Sequence, residues 1–285
     1  MDAATLFQTA RQARQVQDIE VAVEAIDAAQ KAAPDDPNIA AVRALLHYES
    51  WRPASDLFAR AAELNAEDME LRRNQALGLQ SEGDGPAAMA LLERELRVQP
   101  FWVEGHRTLA RIRLTRAEQG EHDRSFAEAC ATSGAPLALH LAWFHNAAIA
   151  RDWDKVHAIL ENAEHAFPGQ PALRAARFYC AAETGDDESA EAALPGLASM
   201  NDPGLDLCRV RFHLRLGQWT EAERCARRHV GSASGAMFWP YLSLIWRLTD
   251  NPLAQWLDGA PPYLSVIDLD ISSGQLADLA DVLRR

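Results

Sequence analysis

Nine histidines and four cysteines carry most of the chemical potential of this 285-residue chain, and their spacing gives them little to do. His140 and His145, or His157 and His165, can share helix faces. Neither pair has the His-Glu-x-x-His layout that brings two imidazoles and a general base to zinc. Cys130, Cys180, Cys208 and Cys225 are widely spaced, with no Cys-x-x-Cys pair. They read as buried thiols in a reducing compartment rather than as a disulfide framework or zinc site. The stretch nearest to a nucleophile elbow, Gly231-Ser232-Ala233-Ser234-Gly235, puts Ala233 where the nucleophile must stand. Gly-rich phosphate loops are lacking, and the carboxylate pairs Asp35-Asp36 and Asp186-Asp187 fall in turns as solvated caps. Neither a catalytic site, a metal site nor a cofactor is expected.

Arginine spacing points to binding instead. Arg72 with Arg73, Arg107 with Arg111, Arg174 with Arg177, and Arg209 with Arg211 recur in what read as the first helices of successive hairpins. Side chains three or four apart share a helix face, and a guanidinium can hold a carboxylate in a bidentate fork. The competing reading pairs these arginines with the many neighbouring Glu and Asp residues. A formal net charge of −13 argues against nonspecific attraction to nucleic acid or to an anionic membrane. The expected partner is therefore a protein or peptide with acidic or carboxylate features. Composition is that of an ordinary folded protein, 48% hydrophobic and 24% charged. No run approaches the roughly 20 apolar residues of a membrane helix. Met1-Asp2-Ala3-Ala4-Thr5-Leu6-Phe7 lacks a signal-peptide layout, so a cytoplasmic location is expected.

The elements that must position these arginines are set by a beat of about thirty-three residues. Turn signals stand at Gln17-Asp18, Ser50-Trp51, Gly83-Asp84, Gln119-Gly120, Asp152-Trp153, Gly185-Asp186 and Gly217-Gln218. A second series runs half a period out of phase, at Pro34, Asn65, Pro100, Gly134, Pro168, Asp202 and Ser234. Between them lies helical text. Leu137, Leu141, Phe144, Ala147 and Ala148 make one apolar face, Arg151-Asp152-Trp153 turns the chain, and Val156, Leu160, Ala163 and Phe167 make the next. Pro168 closes that unit, because proline cannot continue a helix without a clash.

This layout resembles the tetratricopeptide (TPR) repeat, with small residues where helices cross and a closing proline. Ala190 and Leu194 after Gly185-Asp186, Ala54, Phe58 and Ala61 after Trp51, and Ala22, Ile26 and Ala29 before Pro34 carry the likeness. So do Ala88 and Leu92, and Ala222 and Ala226. Single units are degenerate: Gln75 and Arg177 replace a preferred Leu, and the unit near Gln119 is stretched. The resemblance implies an all-α, right-handed superhelical solenoid of about seven helical hairpins over residues 3 to 249, with first helices lining the concave face. The groove candidates are then Arg73, Asn74, Arg107, Arg111, Arg174, Arg177, Arg209 and Arg211. Arg73-Asn74 with Arg107 resembles the residues with which some TPR domains clamp a terminal carboxylate, although Arg111 stands where that clamp prefers Asn.

The repeat domain is expected to span 1–258, and residues 259–285 to form a linker, a strand and a helix that can open a further domain. Ala236 to Thr249 reads as an aromatic last helix. Such a helix either caps the solenoid or docks against something else; a cap should be polar outside, so Phe238, Trp239, Tyr241 and Trp246 are read first as docking residues for another domain or for a homodimer. Ala260-Pro261-Pro262 disfavours helix, 263–271 is strand-like, and Ser272 or Ser273 can cap a helix bearing Leu276, Leu279, Ala280 and Leu283. The stretch from Phe238-Trp239-Pro240-Tyr241 through Trp256-Leu257-Asp258-Gly259 to Ile267-Asp268-Leu269-Asp270 resembles a junction in certain bacterial proteins. There a TPR region precedes a 2-oxoglutarate/Fe(II) oxygenase domain. That likeness implies a recognition region for a larger oxygenase whose iron triad lies elsewhere, since the one local His-x-Glu match, His47-Tyr48-Glu49, sits on a repeat helix. The alternative is a self-contained adaptor or assembly chaperone.

Overall fold

A computed structural model describes residues 1–116, 122–259 and 271–283. Among these residues all regular structure is helical, with no strand. The helices follow one another as hairpins: α1 (Ala3–Gln15) and α2 (Ile19–Ala32), α3 (Pro37–Glu49) and α4 (Ser55–Leu64), α5 (Met69–Ser81) and α6 (Gly85–Val98). Next come α7 (Val103–Thr115) and α8 (Arg124–Cys130), α9 (Leu137–Ile149) and α10 (Trp153–Ala166), and α11 (Pro171–Thr184) and α12 (Asp187–Ala193). α13 (Pro203–Arg215) and α14 (Trp219–Arg227) make the seventh pair, followed by a short eighth, α15 (Trp239–Leu248) and α16 (Leu253–Asp258). A separate helix, α17 (Ser273–Leu283), ends the described chain. The chain divides into two compact units, Met1–Cys180 and Ala181–Arg285, with the boundary inside α11.

The beat in the sequence is a backbone device. Gln17, Trp51, Gly83, Arg151, Gly185, Gly217 and Asp250 all take a left-handed φ, between 50° and 89°. The residue after each donates its N–H to the carbonyl five positions back: Asp18 to Ala13, Arg52 to His47, Asp84 to Leu79, Asp152 to Ala147. Asp186 to Ala181, Gln218 to His213 and Asn251 to Trp246 repeat the bond. This is the Schellman closure, which satisfies the last carbonyls of one helix. Asp18, Asp84, Asp152 and Asp186 then cap the next helix, each side chain accepting from the N–H three residues on. Stop and start signals are thus adjacent, and the chain reverses in about two residues. The turn expected at Gln119-Gly120 lies outside the described residues.

Among the hairpins whose second helix has no side-chain cap of its own, α3–α4 borrows one. After Trp51 comes Arg52-Pro53-Ala54, and Ala54 makes no side-chain cap for α4. Glu82, from the next hairpin's turn, accepts from the N–H groups of Ala54 and Ser55 at 2.8 and 2.9 Å and from the Ser55 hydroxyl at 2.5 Å. The close approach needs Gly78, where a Cβ would stand 3.1 Å from the Ser55 backbone.

Hydrophobic packing is local and serial. Ala10, Ala22, Ile26 and Ala29 form one cluster; Ala44, Phe58, Ala61 and Ala62 the next; Ala76, Ala88, Leu92 and Leu109 a third. The small residues at predicted crossings, Ala22, Ala88, Ala190 and Ala222, are fully buried. Each cluster joins one hairpin to its neighbour, which is how a repeat array replaces a single central core.

The second unit corrects the expectation for the aromatic last helix. α15 starts at Trp239, after a 3-10 turn over Gly235–Met237. Phe238 and Trp246 are buried, packed with Leu242 and Ile245 on Val210, Ala222 and Ala226. The Trp246 Nε1 donates to Glu223 Oε1 at 2.8 Å, and the Arg227 guanidinium lies 5.3 Å from its ring centre. Trp239 and Tyr241 are half-buried, and Trp239 packs on Trp246 and Trp256. Phe238 and Trp246 therefore close the apolar side left open by α13–α14, rather than offering themselves to a partner.

Arg209 is likewise structural. It is buried and reaches the fully buried Asp206 at 2.5 Å, while also donating to the carbonyls of Met200 and Leu197. Asp206 accepts from His229 Nε2 at 2.8 Å and lies 3.3 Å from Arg228. The His229 ring stacks on Phe238. Burial opposes ionisation of Asp206, but the hydrogen bonds from Arg209 and His229 outweigh it and hold its carboxyl below the usual range.

The strand expected over 263–271 falls almost wholly outside the described residues, and Ile271 is coil. The capped helix is present. Ser272 donates its N–H to Gln275 Oε1 at 2.9 Å, and Gln275 donates its N–H to Ser272 Oγ at 3.3 Å, a reciprocal capping box.

Two outcomes follow for stability. Trp51 is 93% exposed at φ 58°, so Trp51→Gly relieves a left-handed strain and should stabilise by about 0.5–1 kcal/mol, whereas Gly185→Ala should cost about as much; urea unfolding measures both. Asp206→Ala leaves buried Arg209 uncompensated and should cost about 3–5 kcal/mol. Because the folded pKa is the lower one, the stabilisation from Asp206 is complete above its unfolded value, about 3.9, and is lost as pH falls through the folded value. Urea titrations of wild type and Asp206→Asn from neutral pH to pH 3 should therefore converge on acidification.

Candidate functional site

The left-handed turn residue fixes which way each first-helix side chain points. Within the first unit, Arg73 and Leu77 stand ten and six residues before Gly83, while Ala142, His145 and Ile149 stand nine, six and two before Arg151. These positions, together with Arg107, Arg111 and Leu114 of α7, line one open groove of about 510 Å³ across α5, α7 and α9. Three of the predicted groove arginines thus converge.

Electrostatics within the groove are only partly compensated. Glu104 lies between two of the arginines, 2.8 Å from Arg107 Nη1 and 3.7 Å from Arg73 Nη1. Glu70 meets Arg73 at 2.8 Å from the same helix. Arg111 is exposed and has no ion-pair partner among the described residues. The pairing with neighbouring carboxylates, foreseen as the competing reading, is therefore real for Arg73 and Arg107 and absent for Arg111. Ile149 is 80% exposed, which places an apolar floor beside that free cation. A partner offering a carboxylate next to an aliphatic side chain matches both features.

The other arginines, Arg211 excepted, fall off this phase. Arg177 and Arg209 each stand eight residues before their turn glycines, Gly185 and Gly217, as Arg43 does before Trp51. That position faces the preceding second helix: Arg43 pairs with Asp27 of α2 at 2.6 Å, and Arg177 with Glu164 of α10 at 2.5 Å. Arg177 and the buried Arg209 are fasteners between elements, not groove residues. Arg174 shares the register of Arg72, eleven before the turn glycine, and neither lines the groove. In the second unit Arg211 has the register of Leu77 and His145, and meets Glu183 at 2.6 Å. Asn74 is half-buried and does not line the groove, which removes the amide from the clamp-like trio.

The remaining chemical candidates are engaged elsewhere. His47 Nε2 meets Asp27 at 3.1 Å and Glu49 meets Arg14 at 2.5 Å, so this His-x-Glu pair ties α3 to α2 and to α1. His140 is buried against Phe167, with its ring centre 5.5 Å away, and burial pushes its pKa down. Cys180, Cys208 and Cys225 are buried and Cys130 half-buried; burial pushes the Cys130 thiol up to about 12 and the Cys208 thiol to about 11. Sequence reasoning missed Leu77, Glu104, Asn146 and Ile149 as groove residues. A signal was present for Leu77, which shares with His145 the position six residues before the turn, but it becomes usable only once the left-handed residue is known.

No family model matches the chain, and no curated protein matches it in sequence. Solved structures do resemble it. A tetratricopeptide repeat protein from Parabacteroides merdae matches 85% of the chain and 98% of its own length, at 14% identity and TM-score 0.51. Yeast Tom70 matches over 93% of the chain and 60% of its own length, at 12% identity and TM-score 0.58. The human IFIT1 dimer with PPP-AAAA matches over 93% of the chain and 68% of its own length, at 14% identity and TM-score 0.51. Identities this low speak for the fold alone: the chain folds as an all-α array of tetratricopeptide-type helical hairpins.

Proposed function

We propose that the chain is a protein-binding scaffold whose groove across α5, α7 and α9 takes an acidic, amphipathic peptide segment of a partner protein. The observation that supports this reading is the convergence of Arg73, Arg107 and Arg111 beside the apolar Leu77, Leu114 and Ile149. Two of those arginines share Glu104, so the groove keeps a net positive charge in a protein of formal net charge −13. Such a contrast steers an acidic segment to this face and disfavours a polyanion such as RNA over the rest of the surface. Apolar contacts then supply affinity, as in other helix-in-groove recognition.

We further read the module as the recognition region of a larger 2-oxoglutarate/Fe(II) oxygenase, with the catalytic residues outside these 285. The junction-like text from Phe238 to Asp270 supports that reading. A self-contained adaptor or assembly chaperone is the rival.

A displayed peptide library panned on the wild-type chain should enrich acidic sequences with apolar residues three or four apart. Arg107→Glu with Arg111→Glu should weaken the selected peptides at least about tenfold without changing thermal unfolding. Enrichment of basic peptides, unchanged affinity in the double variant, or preferential binding of a 5′-triphosphate RNA would overturn the groove reading. For the parent protein, the encoding gene read past codon 285 should continue into a β-rich segment with a His-x-Asp or His-x-Glu pair and a distant His. A stop codon there would support the adaptor instead.

A further inference from the structure

α8 departs from the pattern of the first unit. Six residues, 131–136, link it to α9, whereas four link each of α2, α4, α6 and α10 to the helix that follows. Beside the longer link an open cavity of about 810 Å³ lies between the end of α8, α9 and the end of α10. That volume falls in the range of small-molecule clefts, about 300–1,000 Å³. Local bonds order the link: Thr132 donates its N–H to the Ala129 carbonyl at 3.1 Å, and Ala135 its N–H to the Thr132 carbonyl at 3.2 Å. Gly134 between them takes a left-handed φ of 87°. Trp143, Phe167, Pro136 and Cys130 contribute the apolar walls. The Trp143 indole is fixed by its Nε1 bond to Asp123 at 2.8 Å, and Asp123 lies 3.1 Å from Lys155 Nζ. The Cys130 thiol, held protonated by burial, adds apolar surface rather than a nucleophile.

His140 supplies the polar demand of this cavity. Its side chain lines the space and is only 7% exposed. Nδ1 is shut from solvent and has no hydrogen-bond partner among the described residues, an unmet need that native interiors rarely leave. We propose that the cavity binds a small, uncharged, planar aromatic molecule carrying a hydroxyl or N–H group that bonds to His140. The neutrality of the ligand follows from the lining: none of its thirteen described residues is Asp, Glu, Lys or Arg. A charged ligand would lose its water there and gain no counter-charge. Trp143 and Phe167 select a flat ring, which meets their faces and edges. Burial pushes the His140 pKa down, so at neutral pH the imidazole is uncharged and one of its nitrogens accepts. A turn of that ring presents the accepting nitrogen to the occupant's donor. α9 then serves two sites. His140 and His145 stand five residues apart, about 140° around the helix, so one lines the cavity and the other the groove.

Three probes test this by equilibrium dialysis against the full chain at neutral pH. 2-Naphthol is flat, uncharged and a donor; naphthalene lacks the donor; 2-naphthoate is charged. Wild type should bind 2-naphthol saturably, at least about tenfold tighter than either of the others. His140→Phe keeps a ring against Phe167 but removes the acceptor, so 2-naphthol should fall to the affinity of naphthalene while naphthalene itself is unchanged. Ala166→Phe fills the cavity from the exposed end of α10 and should weaken both at least about tenfold without altering thermal unfolding. Should His140→Phe unfold the chain, Ala166→Phe decides alone, because its site is exposed. Lack of saturable 2-naphthol binding, tighter binding of 2-naphthoate, or affinity unchanged in Ala166→Phe would each overturn the proposal. An equal loss of 2-naphthol and naphthalene in a folded His140→Phe chain would overturn it too, since His140 would then serve only packing.

Discussion

Seven of the eight described hairpins turn on one residue with a left-handed backbone, followed within four residues by the start of the next helix. The N–H that follows it bonds to the carbonyl five residues back, so the last turn of the first helix is satisfied without solvent. An aspartate then satisfies the first N–H groups of the second helix in four of the turns. Gly83, Gly185 and Gly217 adopt this conformation cheaply, but Gln17, Trp51, Arg151 and Asp250 do so at a cost. That the chain tolerates the cost shows how much packing each turn secures. Two amphipathic helices held antiparallel bury one face between them and present the other to the next hairpin.

The turn also fixes rotation. A helix whose end is pinned cannot spin about its axis, so each position counted back from the turn has a constant environment. Eight residues back lies the preceding second helix, and arginine there becomes an interhelix fastener, as Arg43 and Arg177 show. Six and two residues back lies the open face, where Leu77, His145 and Ile149 stand. The same residue type thus serves packing in one register and recognition in another. Charge counting along the sequence cannot separate the two.

Where the array ends, local chemistry substitutes for a following repeat. The α13–α14 hairpin closes over Asp206, whose burial is tolerable because Arg209, Arg228 and His229 converge on it. Phe238 and Trp246 then fill the apolar side that an eighth full hairpin would have covered. The groove, by contrast, is left unfinished. Glu104 neutralises part of its charge and no described carboxylate meets Arg111, so the region keeps an electrostatic demand that an incoming carboxylate can meet.

The periodic turns, the alanine crossings and the all-helical class were legible in the sequence because each rests on interactions within a few residues of the chain. Helix stops, caps and apolar spacing are local, and repetition makes them unmistakable even where single units are degenerate. The convergence of Arg73, Arg107 and Arg111 was partly legible for the same reason, since a fixed repeat length returns equal positions to one face. Burial of Arg209, Phe238 and Trp246 was not, because it depends on which surface each meets across tens of residues. Neither was the exclusion of Asn74, or the role of Glu104 between two arginines. Sequence determined where the chain turns; tertiary structure decided which side chains each turn aims inward, because a rotation of one residue, 100° on a helix, exchanges core for groove.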